Sequence, residues 1–405
     1  MRPGTEAMTF AKDFEPVYLD HAATAPLDLR VAELMCACLN DPALQGNPAS
    51  VHAPGRAAAA RVALARDQVA RLVGAQPEAI VFTSGATESV NLAILGSARA
   101  AGAKFRHIVT ARTEHRSALG ACRQLEREGF TVTWLTGDAD GRVDPAQVAQ
   151  ALRPDTALVS LMHANNETGV LNDVAEVGRI CRERGLSFHV DAAQSVGKLP
   201  VNVEEIGATL LSFCAHKLGG PKGVGALYIR RRPRPVLQPL VFGGGHEGGL
   251  RAGSLPTHQL AGFGAACELA RGLLPTEQPR IRALRERLWA GLQAAAPVWR
   301  NGAAEPSVPG ILNVFFPGIE GESLLLALDG RLAVSSGSAC NSVSAESSYV
   351  LRGLGLSDLA AQASLRLSLG RQTTAEEIDR AAAILERCVR RLRKALPAGA
   401  IEAIA

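Results

Sequence analysis

The chain has 405 residues, 47% hydrophobic and 20% charged, with a formal net charge of +4. That length holds a sizeable core and two or three domains, and the balance is that of a globular protein. So small a charge, with no long basic face, speaks against direct binding of nucleic acid. No apolar run approaches the roughly 18–20 residues that cross a bilayer, so no membrane partner is expected. Residues 1–15 lack the apolar stretch of a secretory signal, and the expected location is the cytoplasm. The eight cysteines, Cys36, Cys38, Cys122, Cys181, Cys214, Cys267, Cys340 and Cys388, form no CxxC pair. Neither a disulfide framework nor a metal site is expected from them.

In chain order, Val17–Asp20 reads as a short strand and His21–Pro26 as a polar turn. Asn47–Ser50 has turn and cap chemistry, and an Ala/Arg-rich helix follows to about Val73, with Gly74 suited to its C′ position. The chain then alternates. Strands are predicted at Ile80–Thr83, His107–Thr110, Thr131–Leu135, Ala157–Met162 and Ser187–Val190. Helices fall between them at Ala86–Ala100, Ser117–Glu128, from Asp144-Pro145 onward, and at Val174–Arg184. Two more apolar runs, Leu210–Cys214 and Gly225–Ile229, read as strands. The basic run Arg230–Arg234 after them reads as a solvated strand exit.

Such alternation builds an α/β fold, a mostly parallel sheet with helices on both faces. Beyond a Gly-rich loop at Gly243–Gly249, a long helix is predicted over Pro256–Leu273. A second region follows, with strand Ile311–Phe315, helix Gly321–Leu328, a loop of small polar residues at Ala333–Ser348, and strand Leu365–Ser368. A terminal helix capped by Thr374 carries Ile378, Leu385, Val389 and Leu392 on one face. The expected division is a large α/β domain at 16–262 and a smaller α+β domain from 1–15 and 263–405.

Several stretches carry chemistry. Phe82-Thr-Ser-Gly-Ala-Thr-Glu88 joins a strand to a helix, and free N–H groups at a helix start suit a phosphate; an ordinary capped turn reads the same way. There is no GxGxxG there and no P-loop motif. Asp191 ends a buried strand, where open α/β sheets bind ligands; a cap for the next segment is the commoner use of an aspartate there. Lys217 lies in a polar turn one strand further on. A phosphate cradle, a strand-end Asp and a turn Lys are together the parts of a pyridoxal phosphate site. There the lysine holds the cofactor, and the carboxylate keeps the ring nitrogen protonated.

His115 follows another strand end and could stack on a ring or shuttle protons. Asn165 and Asn166 follow a third, where either could bond a ring oxygen or simply form a turn. Cys340 sits in a loop of Ser, Gly and Ala, out of place for a core filler, so its reactivity is in question. Arg366 interrupts an apolar strand, and a buried arginine needs an anion: a substrate carboxylate or a structural salt bridge.

These residues resemble the cysteine desulfurases of the IscS/NifS type, in the class V aminotransferase branch of fold-type-I pyridoxal phosphate enzymes. The likeness runs from Tyr18 to Leu392. It rests on Tyr18-Leu-Asp-His-Ala-Ala-Thr-Ala-Pro26, Gly46-Asn-Pro-Ala-Ser50, Phe82–Ser89, Thr113-Glu-His115, Met162–Gly169, His189–Lys198, His216-Lys217, Gly220-Pro-Lys-Gly223 and Val334–Cys340. The resemblance implies a fold with a seven-stranded type of sheet, and pyridoxal 5'-phosphate bound to Lys217. Asp191 would pair with the ring nitrogen, Gln194 and Asn166 with the ring oxygen, and His115 would stack on the ring. Ala86, Thr87, His216 and residue 214 would hold the phosphate, joined by Ser254 from the other subunit of a homodimer.

Arg366, with Asn166 beside it, would bind the carboxylate of L-cysteine. Cys340 would take the sulfur as a persulfide and pass it to an acceptor protein, an iron–sulfur scaffold or a sulfur carrier for thiolation. An iron–sulfur cluster in transfer at Cys340 belongs to the same expectation. The sequence departs from the family pattern in three places: Cys214 stands for a usual serine, Ser254 for a threonine, and Gly248 for an arginine. The stretch after the last helix is also shorter than the scaffold-docking tail of the iron–sulfur members, which leaves the acceptor open. The alternatives are a selenocysteine lyase or aminotransferase on the same fold, and, from another class, a non-catalytic sulfur or metal scaffold.

Overall fold

The strands set between turn signals pair into one seven-stranded sheet. The computed structural model describes residues 16–295, 297–336 and 347–394. The chain enters through β1 (Val17–Tyr18), α1 (Leu29–Asn40) and α2 (Ala53–Leu72). It then runs β2 (Ile80–Thr83), α3 (Ala86–Ala100), β3 (His107–Ala111), α4 (Arg116–Arg127), β4 (Thr131–Leu135), α5 (Pro145–Ala151) and β5 (Thr156–Met162). Next come α6 (Val174–Glu183), β6 (Ser187–Asp191), α7 (Val203–Ile206), β7 (Leu210–Cys214) and β8 (Gly225–Ile229). The sheet order is β2-β8-β7-β6-β5-β3-β4. Strands β7, β6, β5, β3 and β4 pair in parallel, and β8 runs antiparallel to both its neighbours.

Alternate side chains along these strands face two different cores, as the two-residue period of a strand requires. Phe82, Val109, Val159, Val190 and Phe213 face the core shared with α2 and α6. Ile108 and Leu158 pack on the other face with α3 and α4, and Val81, Leu210 and Leu227 with α3. Both faces are thereby covered, which is why the central strands read as near-continuous apolar runs. At the sheet floor a neutral His189 bridges three strands, bonding Ser160 of β5 at 2.8 Å and Ser212 of β7 at 2.9 Å. Burial pushes its pKa down to about 3.

The long helix α8 (Thr257–Ala295) exceeds the expectation of an end near Leu273, because it continues through Pro275 and Pro279. A proline inside a helix costs about 3 kcal/mol. Packing offsets this at both ends: Leu260, Phe263, Ala266 and Ala270 enter the large core. Leu284, Leu288 and Leu292 enter a second core. After α8 come β9 (Trp299–Arg300), β10 (Ile311–Phe315), α9 (Gly321–Leu328), β11 (Leu332–Ala333) and β12 (Ser335–Ser336). The remaining elements are α10 (Tyr349–Gly353), α11 (Asp358–Gln362), β13 (Ser364–Ser368) and α12 (Ala375–Lys394). Of these, β10, α9, β11, β13 and α12 enter that second core. Four of the strands form an antiparallel sheet in the order β12-β13-β10-β9.

Helix α12 starts with a capping box: Thr374 Oγ1 accepts from the Glu377 N–H at 3.2 Å, and Glu377 accepts from the Thr374 N–H at 2.9 Å. Val17 and Leu19 belong to the second core, and β1 pairs with β11. The segment after β1 therefore crosses from this core to the carboxyl ends of the parallel strands.

Candidate active site

A cavity of about 800 Å³ opens at those strand ends, against β12 and β13. Its walls include Asp20, Ala22, Ala23, Thr24, Ala86, Thr87, His115, Asn166, Asp191, Gln194, Cys214, His216, Lys217 and Arg366. The segments after β2, β3, β5, β6 and β7 each deliver a part, as the parallel sheet dictates. Ser254 does not line this cavity. It is exposed, beside Leu39 and Pro256 in a separate hollow. Cys340 lies outside the described residues. The described flanks of its segment do meet the site: Ser336 lines the cavity, and the Ser348 hydroxyl donates to Glu167, which lines it too.

Lys217 closes a short 3₁₀ turn after β7, at Ala215–Lys217. Its Nζ donates to the carbonyls of Ala22 at 2.5 Å and Ala23 at 2.8 Å. Burial holds the amine below the usual lysine range. Asp191 ends β6, buried, with its Oδ1 accepting from the Ala193 N–H at 3.0 Å. Burial raises its pKa, while His115, that N–H and Lys217 act the other way. His115 caps α4. Its Nδ1 accepts from the Ser117 N–H at 3.2 Å, so the neutral ring carries its hydrogen on Nε2. Burial also lowers the His115 pKa.

Helix α3 begins beyond Gly85 with no side-chain cap, and Ala86 and Thr87 face the cavity. The first N–H groups of a fifteen-residue helix carry partial positive charge. The turn packs close to the sheet: a Cβ on Gly225 would lie 2.7 Å from the Gly85 backbone. Cys214 is buried beside it, and burial pushes its thiol up to about 11. The Ala86 N–H points at its sulfur. His216 meets the Thr24 hydroxyl at 3.2 Å, and burial takes its pKa down to about 4.

Arg366 stands on β13, 8% exposed. Nη1 donates to the Asn166 carbonyl at 2.8 Å, and Nη2 to Asp20 and Ser335 at 2.9 Å each. The anion that its burial demanded is thus resident: Asp20, 346 residues away in sequence. Asp20 lay inside a quoted motif, but nothing in the sequence pairs it with Arg366. Its Nε is buried without a partner, as is Asn166 Oδ1.

The donor set fits pyridoxal phosphate. An uncapped helix start suits the phosphate, a buried carboxylate with a single backbone donor suits a ring N–H, and the orphaned Asn166 oxygen and Arg366 Nε ask for ligand atoms. Lys198 and Glu167 were not foreseen as part of the site. Both stand inside the motifs that carry the resemblance, with no role assigned there; what sets them apart is contact made by the fold, Lys198 with Gln194 and Glu167 with Ser348.

A parallel sheet with a lysine and an aspartate at adjacent strand ends, facing one cavity, is the architecture of fold-type-I pyridoxal phosphate enzymes. The class-V aminotransferase family model matches residues 17–381. A cysteine desulfurase IscS from Aeromonas hydrophila subsp. hydrophila is 54% identical over 94% of this chain and 95% of its own. The IscS of Escherichia coli O9:H4 is 52% identical with the same coverage. Among solved structures, a NifS-like protein superposes with TM-score 0.86 at 34% identity, covering 94% of this chain and all of its own. DndA from Streptomyces lividans gives 0.73 at 40% identity, over 87% of this chain and 99% of its own. The chain belongs to the class-V aminotransferase family, on its cysteine desulfurase branch.

Proposed function

We propose that the protein is a pyridoxal phosphate-dependent cysteine desulfurase, releasing L-alanine from L-cysteine and holding the sulfur as a persulfide on Cys340. The observation that carries this reading is the convergence of Lys217, Asp191 and Arg366 on one cavity. When bound, pyridoxal phosphate supplies an electron sink for negative charge at the substrate Cα. Lys217 would hold it, Asp191 would face its ring nitrogen, and Asn166 and Gln194 its ring oxygen. Ala86, Thr87, Cys214 and His216 would surround its phosphate.

Arg366, already oriented by Asp20 and Ser335, binds the substrate carboxylate. The buried amine of Lys217 accepts the Cα proton. His115, whose ring hydrogen sits on Nε2, serves as a nearby proton carrier. The Cys340 thiolate attacks the substrate sulfur: an S–S bond forms, the Cβ–S bond breaks, and the carbon is protonated to give alanine. One described flank of the Cys340 segment, Ser336, lines the cavity and the other, Ser348, bonds Glu167 of its wall, which supports this role for Cys340.

In this reading Ser254 completes the phosphate site of a second copy. Support comes from its exposure, and from the apolar Leu39, Val241 and Phe242 that stand exposed nearby, as a homodimer interface requires. The persulfide passes to an acceptor protein, for iron–sulfur assembly or thiolation, in the cytoplasm. The two separate cores, both reached by α8, support a division into a large cofactor-binding unit and a smaller unit.

Cys340→Ser decides the sulfur step. The variant is expected to keep the bound cofactor's absorbance, while alanine release from cysteine falls by about 10²-fold or more. Parental alanine release would remove Cys340 from the mechanism. The same assay with selenocysteine separates a desulfurase from a selenocysteine lyase, since a lyase would favour selenocysteine.

Cys214 bears on the cofactor. A thiol is a weak donor, whereas a serine hydroxyl in its place can donate to a phosphate oxygen. Cys214→Ser is therefore expected to bind pyridoxal phosphate about tenfold more tightly, a gain of the size of one charge-assisted hydrogen bond. Absorbance titration of the cofactor-free protein measures it, and equal or weaker binding contradicts it.

A further inference from the structure

We propose that Lys198 is a positioning residue of this site: it locks the side-chain amide of Gln194 in one orientation and so presents an amide N–H to the cofactor. The inference rests on the reading of Gln194 as a contact of the cofactor's ring oxygen. Lys198 lies behind the cavity wall rather than on it, lining a neighbouring smaller hollow with His21 and Gly197. Its Nζ donates to Gln194 Oε1 at 2.7 Å. Gln194, 4% exposed, turns its Nε2 the other way and donates to the Ala22 carbonyl at 2.8 Å.

These two neighbours dictate the same amide orientation. In its protonated form the Lys198 amine only donates, and a carbonyl only accepts, so the flipped amide would set N–H against ammonium and oxygen against oxygen. With one Nε2 hydrogen on Ala22, the second remains for a ligand in the cavity that Gln194 lines.

The energetics argue against a purely structural lysine. Among the described residues no carboxylate lies within ion-pair distance of the half-buried Lys198, and a cation drawn from water without a counter-charge costs stability. Burial, with Lys217 nearby, takes its pKa down to about 7. What the amine does have is Gln194.

The test is a double-mutant cycle on cofactor-free protein, titrated with pyridoxal phosphate and followed by absorbance. Lys198→Met and Gln194→Ala are each expected to weaken binding about tenfold, and the double variant no more than either alone, because both remove the same N–H. The cofactor bound to Lys198→Met is expected to share the absorbance maximum of the Gln194→Ala protein rather than that of the parent. If Gln194→Ala weakens binding but Lys198→Met does not, or if the two losses multiply to about a hundredfold, the proposal is overturned. Parental binding by Gln194→Ala would instead remove the Gln194 reading beneath it. Lys198→Leu carries the same cycle should the methionine protein not fold.

Discussion

Lys217→Ala is expected to abolish both the covalent attachment of pyridoxal phosphate and the turnover of cysteine. The purified parent should absorb near the violet edge through its lysine-bound cofactor, and the variant should lack that band. Loss of a positioned general base lowers rates by roughly 10²–10⁴-fold, and here the same residue also anchors the cofactor, so the fall is expected at or beyond the upper end. The fold is expected to survive. The Nζ bonds go to the carbonyls of Ala22 and Ala23, and the Ala22 oxygen keeps a donor in Gln194 Nε2. The amine is also set for its task. Burial holds it below the usual lysine range, so a larger share is uncharged at neutral pH and able to take a proton. Undiminished absorbance together with undiminished alanine release would remove Lys217 from the site.

Much of this was legible in the chain itself. β7, β8, β10, α3 and α9 fall where apolar runs and turn residues put them, because a strand buried on both faces and an apolar helix begun beside a glycine leave strong local patterns. Helix α8 escaped because the local rule for proline lost to packing against two cores, and no local rule counts a distant core. In the site, Asp191 and Lys217 were visible because the carboxyl ends of parallel strands are where such folds place ligands. The Asp20–Arg366 pair was half visible: the arginine announced the need for an anion, but its partner came from the other end of the chain. Lys198 stood inside a motif, but its role was hidden for a different reason. A lysine after a Val-Gly turn is usually solvated, and only the assembled walls half-bury this one against Gln194.

Asp191→Asn is the second substitution expected to have a large effect, and it leaves size and shape unchanged. The carboxylate is buried at the end of β6, above the neutral His189 that ties β5, β6 and β7 together. Its single backbone donor, Ala193 N–H, leaves it short of positive partners, and burial accordingly raises its pKa. A protonated ring nitrogen supplies the missing partner, and in so dry a site the charge pair is worth far more than it would be in water. The asparagine keeps the strand end and accepts the Ala193 N–H through its oxygen, but it carries no charge to hold the ring nitrogen protonated. Cofactor binding is therefore expected to weaken, and kcat for cysteine to fall by about 10²–10³-fold, the loss typical of removing one preorganised electrostatic contact. Because Arg366 and Lys217 are untouched, KM is expected to change much less than kcat. Activity within twofold of the parent would show that the ring nitrogen does not meet Asp191, and would break the link between this strand end and the chemistry.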